Sequence, residues 1–170
     1  MKLKNKNIVF GITGSIAAYK SCDIISELIK LGASVHCILT ESAKEFVTVR
    51  TLETITKNPV ITTMFPNHED GKHKIDVEHI SLADLADLFV VAPATANIIS
   101  KFTFGIADDF LSTFFLANTS PVLIAPAMNT NMYQNKILQQ NIESLKKYGV
   151  EFIEPAKGKL ACGSEGIGRL

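Results

Sequence analysis

Three residues in this sequence combine a type that can move protons or hold a carboxylate with a neighbourhood that could use it: Cys162, His79 and Asn129. Cys162 lies in a glycine-rich run, GKLACGSEGIG at residues 158–168. A thiol there can deliver a proton or attack an electrophile, and the glycines would let the segment move as an active-site flap. The same run could also be a disordered tail with an incidental cysteine. His79 follows Val77-Glu78 and precedes an apolar helical pattern. An imidazole titrates near neutrality and can act as a positioned base, or it can be a structural histidine. Asn129 ends the run APAMN, which leaves an apolar strand-like segment. Its amide can donate to a carboxylate or enolate oxygen and accept through its carbonyl. Judged alone, it reads equally as an Asx-turn or a helix cap.

Three further segments carry small and hydroxyl residues at the ends of apolar runs. GITGS at residues 11–15 includes Gly14 and Ser15, Thr40 and Ser42 follow a second run, and APATAN at residues 92–97 includes Thr95 and Asn97. Glycine lets the backbone approach a ligand, and the unpaired amides of a helix start attract a phosphate. GITGS is neither a GxGxxG fingerprint nor a GxxxxGK[ST] loop. Each segment alone could be a capped turn. Together they point to one shared phosphate-bearing cofactor.

These segments need a scaffold, and the hydropathy pattern supplies one. Short apolar runs at residues 7–12, 35–40, 88–92, 122–125 and 150–153 read as strands, with a further short candidate at 60–65. Helical spacing recurs at 15–31, 42–56, 81–87, 95–118 (broken near Gly105) and 130–148. Residues 66–74 are the most polar and read as a loop, and residues 154–170 read as irregular. Alternating strands and helices with continuously apolar strands predict an α/β fold: a single Rossmann-like (flavodoxin-like) three-layer domain with a parallel sheet, over residues 1–170. In such sheets ligands bind beyond the carboxyl ends of the strands, where all four segments above fall.

Composition narrows the classes. The 170 residues are 46% hydrophobic and 20% charged, as expected of a globular domain with a real core. Lys+Arg and Asp+Glu are both 17, so nothing marks a nucleic-acid surface. No apolar run reaches membrane-spanning length and no signal peptide is recognisable, which predicts a cytoplasmic protein. Three cysteines without CxxC spacing give neither a disulfide framework nor a metal site. Cys22 and Cys37 read as buried small apolar residues.

The segments GITGSIAAYK, VEHISLADLADLFVVAPATANIISKFTFGIADD, PAMNTNMY and KLACGSEGIGR resemble, in order and over nearly the whole chain, the homo-oligomeric flavin-containing cysteine decarboxylases. KLACGSEGIGR is similar to the phosphopantothenoylcysteine decarboxylase branch, including the N-terminal domain of its bifunctional form. The resemblance implies FMN bound between subunits of a homotrimer, often assembled into a homododecamer. It implies FMN contacts from Gly14, Ser15, Ile16, Thr40, Ser42, Thr95, Ala96, Asn97 and Ile98, with Phe46 and Ala127 near the ring. It implies His79 as catalytic base, Asn129 as ligand of the substrate carboxylate and Cys162 as final proton donor. Met132, Lys159 and Ala161 would contact substrate, the last two from a flap over residues 157–170. The implied reaction oxidises the cysteinyl thiol of 4′-phosphopantothenoylcysteine to a thioaldehyde, loses CO2 to an enethiolate and reduces this to 4′-phosphopantetheine. Relatives acting on a peptide C-terminal cysteine share the Asn129 motif, but carry Trp where this chain has Tyr133. A non-catalytic flavin-binding regulatory subunit and an electron-transfer flavoprotein are the other readings of such a chain.

Overall fold

The computed structural model describes residues 2–64, 78–159 and 165–170. The apolar run Asn7–Ile12 forms β1, and Ser34–Leu39, Leu88–Ala94, Val122–Pro126 and Glu151–Phe152 form β2 to β5. They make one parallel sheet in the order β2-β1-β3-β4-β5. The alternation within each strand sorts side chains to two faces. Ile8, Phe10 and Ile12 of β1 join Val35, Cys37 and Leu39 of β2 and Val90 and Ala92 of β3 on one side. Val9, Ile38, Phe89, Val91 and Ile124 face the other. Each face therefore needs its own cover, which makes three layers.

Helices α1 (Tyr19–Lys30) and α2 (Val49–Thr56) cover the first face through residues such as Ile25 and Leu52. Helices α3 (Glu78–Leu85), α4 (Ala96–Phe104), α5 (Phe110–Ala117) and α7 (Lys136–Lys147) cover the second, through Leu82, Ile99, Phe102, Phe114 and Ile142. The short α6, Thr130–Tyr133, lies just beyond β4. The Phe89 and Phe114 rings meet edge-on at 4.9 Å between centroids, a geometry favoured by the ring quadrupoles.

Several boundaries differ from the sequence reading, each for a local reason. The pattern at 15–31 opens with a 3-10 turn, Ile16–Ala18, before α1. Residues 42–56 divide into a 3-10 segment, Glu41–Glu45, and α2, which restarts where the Thr48 hydroxyl accepts from the Thr51 amide at 3.1 Å. Residues 130–148 divide because Asn135 caps α7, its Oδ1 accepting from the Ile137 amide at 2.9 Å. The candidate strand at 60–65 amounts to one bridge, Ile61 beside Ile38. His79 lies within α3, described from Glu78 to Leu85, rather than ahead of it. The loop read at 66–74 lies outside the described residues.

The tail departs most. Residues 154–170 were expected to be irregular, but Ala156–Lys159 (β6) and Glu165–Arg169 (β7) pair antiparallel. The glycines that argued against regular structure are what allow β7 to lie against the backbone after β4. A Cβ on Gly168, whose φ is +148°, would overlap the Met128 carbonyl.

Candidate functional site

The strand order reverses between β1 and β3, the point at which sheets of this kind leave a crevice beyond their carboxyl ends. Thr13, just past β1, holds the two lips in register. Its hydroxyl, 2% exposed, donates to the Pro93 carbonyl at 2.7 Å and accepts from the Thr95 amide at 3.0 Å. Thr40 closes the other flank, its amide donating to the Ile12 carbonyl at 3.1 Å. The Ala127 amide donates to the Ala94 carbonyl at 3.0 Å, which ties the loop after β4 to the end of β3. All four sequence-predicted segments therefore meet along one sheet edge.

The predicted cofactor residues line that edge. Ser15 caps the 3-10 turn, its oxygen accepting from the Ala17 amide at 3.3 Å. Thr95 caps α4, accepting from the Ile98 amide at 3.4 Å. The cap reading and the anion reading are compatible, since capping by Thr95 fixes the start of α4, whose positive dipole end faces the crevice side of the sheet. Gly14 lies against Ser42 so closely that a Cβ would stand 2.5 Å from the Ser42 Cβ and 3.1 Å from its backbone. Ala96 and Asn97 occupy the first turn of α4. Ile98 and Ala127 are buried at 2% and 4%, so Ile98 points its side chain into the core. Ile16 and Phe46 are instead 58% and 44% exposed, unusual for such large apolar side chains at a sheet edge.

Hydroxyls, an amide and a helix start, with exposed apolar side chains beside them, suit a phosphate monoester joined to an apolar ring. The donors are neutral, so the anion would be held by amide dipoles and hydroxyls rather than by ion pairs. Among the described residues no group of three or more His, Cys, Asp or Glu could hold a metal ion. No described helix is long and apolar enough to cross a membrane.

His79 is half-buried, and its ring meets Phe110 of α5 edge-on, 6.3 Å between centroids at 80°. Asn129 is exposed at the N-cap of α6, its Oδ1 accepting from the Asn131 amide at 2.8 Å. That bond turns Oδ1 to the helix and makes Nδ2 the donor end. Met132 follows on α6 and is 49% exposed. The Met128 amide donates to the Gly168 carbonyl at 3.0 Å, which brings β7 against the Asn129 loop. The Lys20 ammonium donates to the Leu170 carbonyl. Lys159 lies on β6, whereas Ala161 and Cys162 fall outside the described residues. Tyr133 donates to the Glu154 carboxylate at 3.0 Å; burial, with that carboxylate, pushes the phenol up to about 12.

Two features escaped the sequence reading. Thr13 stands between better-marked glycines, and only tertiary structure shows its hydroxyl bonded to Pro93 and Thr95 at the end of β3. Lys101 bridges Asp108 at 2.5 Å and Asp109 at 2.7 Å with its side chain only 16% exposed. Asp109 in turn caps α5, its Oδ1 accepting from the Ser112 amide and hydroxyl, both at 2.8 Å. Burial alone would push the Asp109 carboxyl up, but Lys101 and Ser112 outweigh it and hold the carboxyl below the usual range. The signal available in sequence was the run GIADD: a glycine stop after α4 and an Asp three residues before Ser112.

The fold defines a doubly wound parallel α/β protein whose strand order reverses between β1 and β3, the place where sheets of this kind bind ligands. The chain belongs to the flavoprotein family, which it matches over residues 1–170. It is 52% identical over 167 residues to the coenzyme A biosynthesis bifunctional protein CoaBC of Borreliella burgdorferi, a match covering 98% of this chain and 42% of that protein. The chain thus spans about two fifths of the length of such relatives. It is 44% identical over 167 residues to the "Probable phosphopantothenoylcysteine decarboxylase" of Streptococcus mutans, covering 97% of this chain and 91% of that one. Among solved structures, a PPC decarboxylase variant complexed with pantothenoylaminoethenethiol aligns with TM-score 0.83 and 30% identity, over 96% of this chain and 90% of that chain. The FMN-dependent cysteine decarboxylase SpaF aligns equally well, TM-score 0.83 at 29% identity, over 98% of this chain and 91% of that chain.

Proposed function

We propose that this chain is the FMN-dependent phosphopantothenoylcysteine decarboxylase of coenzyme A biosynthesis. It converts 4′-phosphopantothenoylcysteine to 4′-phosphopantetheine and CO2, as a cytoplasmic homotrimer that can assemble to a dodecamer. The observation that carries this reading is the 44% identity to a relative of that printed name along 97% of this chain and 91% of that one. Fold likeness alone does not choose the substrate, because SpaF and PPC decarboxylase align at the same TM-score of 0.83. The identity to that relative supports the phosphopantothenoylcysteine branch, and the Cys162 segment supports the same branch.

FMN suits the crevice on the chemistry of its donors. Its phosphate would be held by Gly14, Ser15, Thr40, Ser42 and the amides from Thr95 to Ile98, and its ring by Ile16, Phe46 and the backbone near Ala127. Once bound, FMN supplies a two-electron acceptor that later serves as donor. The residues supply orientation and proton control. Direct loss of CO2 from the cysteinyl carboxylate would leave an unstabilised carbanion. With the thiol-bearing carbon oxidised to a thioaldehyde, the carboxylate stands β to C=S, and its electron pair passes into an enethiolate as CO2 leaves. His79 would take the thiol proton in the oxidation. Asn129 Nδ2 would donate to the carboxylate and align its C–C bond with the thiocarbonyl. Cys162 would give the proton that accompanies return of the hydride, and Lys159, Ala161 and Met132 would cover the substrate.

The purified chain should be yellow with an FMN spectrum and should release CO2 from phosphopantothenoylcysteine. Cys162→Ser should still release CO2 but accumulate the enethiol. Normal 4′-phosphopantetheine formation by that variant would remove Cys162 from the scheme, and CO2 release only from a peptide ending in cysteine would move the chain to the peptide-modifying branch.

A further inference from the structure

We propose that Lys101 is a positioning residue for His79, acting through Asp109 and Phe110. The inference rests on the proposed role of His79. Helix α4 ends at Gly105, and α5 begins five residues later at Phe110. The ammonium of Lys101, in the last turn of α4, reaches forward to Asp108 and Asp109. Asp109 is the N-cap of α5, and its carboxylate is shared: Oδ2 accepts from Lys101, while Oδ1 accepts from the Ser112 amide and hydroxyl. The Asp109 amide donates to the Ser112 hydroxyl at 3.2 Å, which completes a reciprocal cap.

The next residue is Phe110, the first of α5, 3% exposed and edge-on to the His79 ring. A cap fixes where its helix starts and in which direction the first side chain leaves. Helices α3 and α5 both pack through the core cluster on this face. A turn of the α5 start would therefore carry Phe110 away from the imidazole and release the His79 ring. Lys101 is well placed for this work because it is nearly buried and its two carboxylate partners come from the loop itself. Loss of its charge would leave Asp109 holding a half-buried carboxylate with only the Ser112 donors.

The test uses the FMN-loaded full chain. Lys101→Met, Lys101→Arg and Phe110→Leu are compared with the parent by NMR of the His79 ring protons, assigned through their loss in His79→Asn, and by stopped-flow flavin reduction with substrate. Lys101→Met should shift the His79 ring-proton signals, lower the reduction rate about tenfold and leave KM and FMN content within about twofold. Lys101→Arg should restore most of both. Phe110→Leu removes the ring contact without touching the ion pairs, so it tests the last link even if Lys101→Met folds poorly; it should shift the same signals and slow the same step. Unmoved His79 signals in Phe110→Leu, or in folded Lys101→Met, would overturn the proposal. If the parent shows no substrate-driven flavin reduction, the proposed function fails, while the ring-proton shifts still decide whether Lys101 and Phe110 place His79.

Discussion

The Thr13 hydroxyl donates to the Pro93 carbonyl at 2.7 Å, across the point where the strand order reverses and the loops after β1 and β3 part. The same oxygen accepts from the Thr95 amide, so this buried side chain, together with the Thr13 amide donating to the Pro93 carbonyl at 3.3 Å, ties the two loops. Thr13→Val keeps the shape and removes both bonds. It should destabilise the protein by about 1–3 kcal/mol, because the Thr95 amide loses its buried acceptor. FMN should also be retained less tightly. Urea denaturation and the FMN content of the purified variant measure the two effects, and unchanged values in both would show that the bonds do not position the loop.

Gly14 meets Ser42 with no room for a side chain. Gly14→Ala would bring its Cβ to 2.5 Å from the Ser42 Cβ and 3.1 Å from the Ser42 backbone, so the loops after β1 and β2 must separate. A cost of about 1–3 kcal/mol is expected, with loss of bound FMN. Ser42→Gly should recover part of it by removing the closer contact, and a double-mutant cycle with FMN fluorescence reads that coupling.

Gly168→Ala should act on the hairpin and leave the core intact. Its backbone has φ +148° and its Cβ would overlap the Met128 carbonyl, so β7 must lift from the Asn129 loop. Amide exchange at Met128, whose N–H donates to the Gly168 carbonyl, should accelerate at least tenfold. The melting temperature should move by no more than a few degrees. Unchanged exchange at Met128 would mean that the hairpin is not held through this contact.

Asp109 predicts a pH dependence of stability. Its folded carboxyl is held below the ordinary value of 3.8, against burial, by Lys101 and Ser112. Between the folded and unfolded pKa values the unfolded chain binds more protons, so stability rises with pH there. The contribution is fully present above about pH 4 and is lost as pH falls through the lower folded value. Asp109→Asn should therefore be less stable than the parent at pH 7, with the gap narrowing toward pH 2. Denaturant midpoints from pH 7 to pH 2 check it, and a constant gap would contradict the assignment.

How far each feature could be read from sequence follows from the range of the forces that make it. Strands β1 to β4 announce themselves because a strand buried on both faces must be apolar throughout, and a parallel sheet covered by helices follows from that. That the loops after those strands share one edge was legible for the same reason: topology puts them there whatever their detail. His79 and Asn129 were picked out by residue type. Their local settings were not, since the placing of His79 against Phe110 depends on tertiary packing and the cap at Asn129 on which backbone amides need partners.

What the sequence by itself determined is the layered α/β architecture and the set of chemically able residues at the strand ends, because hydrophobic periodicity and turn chemistry are local properties. What only the tertiary structure decided is how those ends are tied. The Thr13 bridge spans 80 residues to Pro93, the Lys101–Asp109 pair sets the helix that meets His79, and a glycine-rich tail becomes a hairpin against Met128. Those links are hydrogen bonds and backbone approaches between distant segments. They have no period in the sequence, and they exist only once the sheet has brought its edges together.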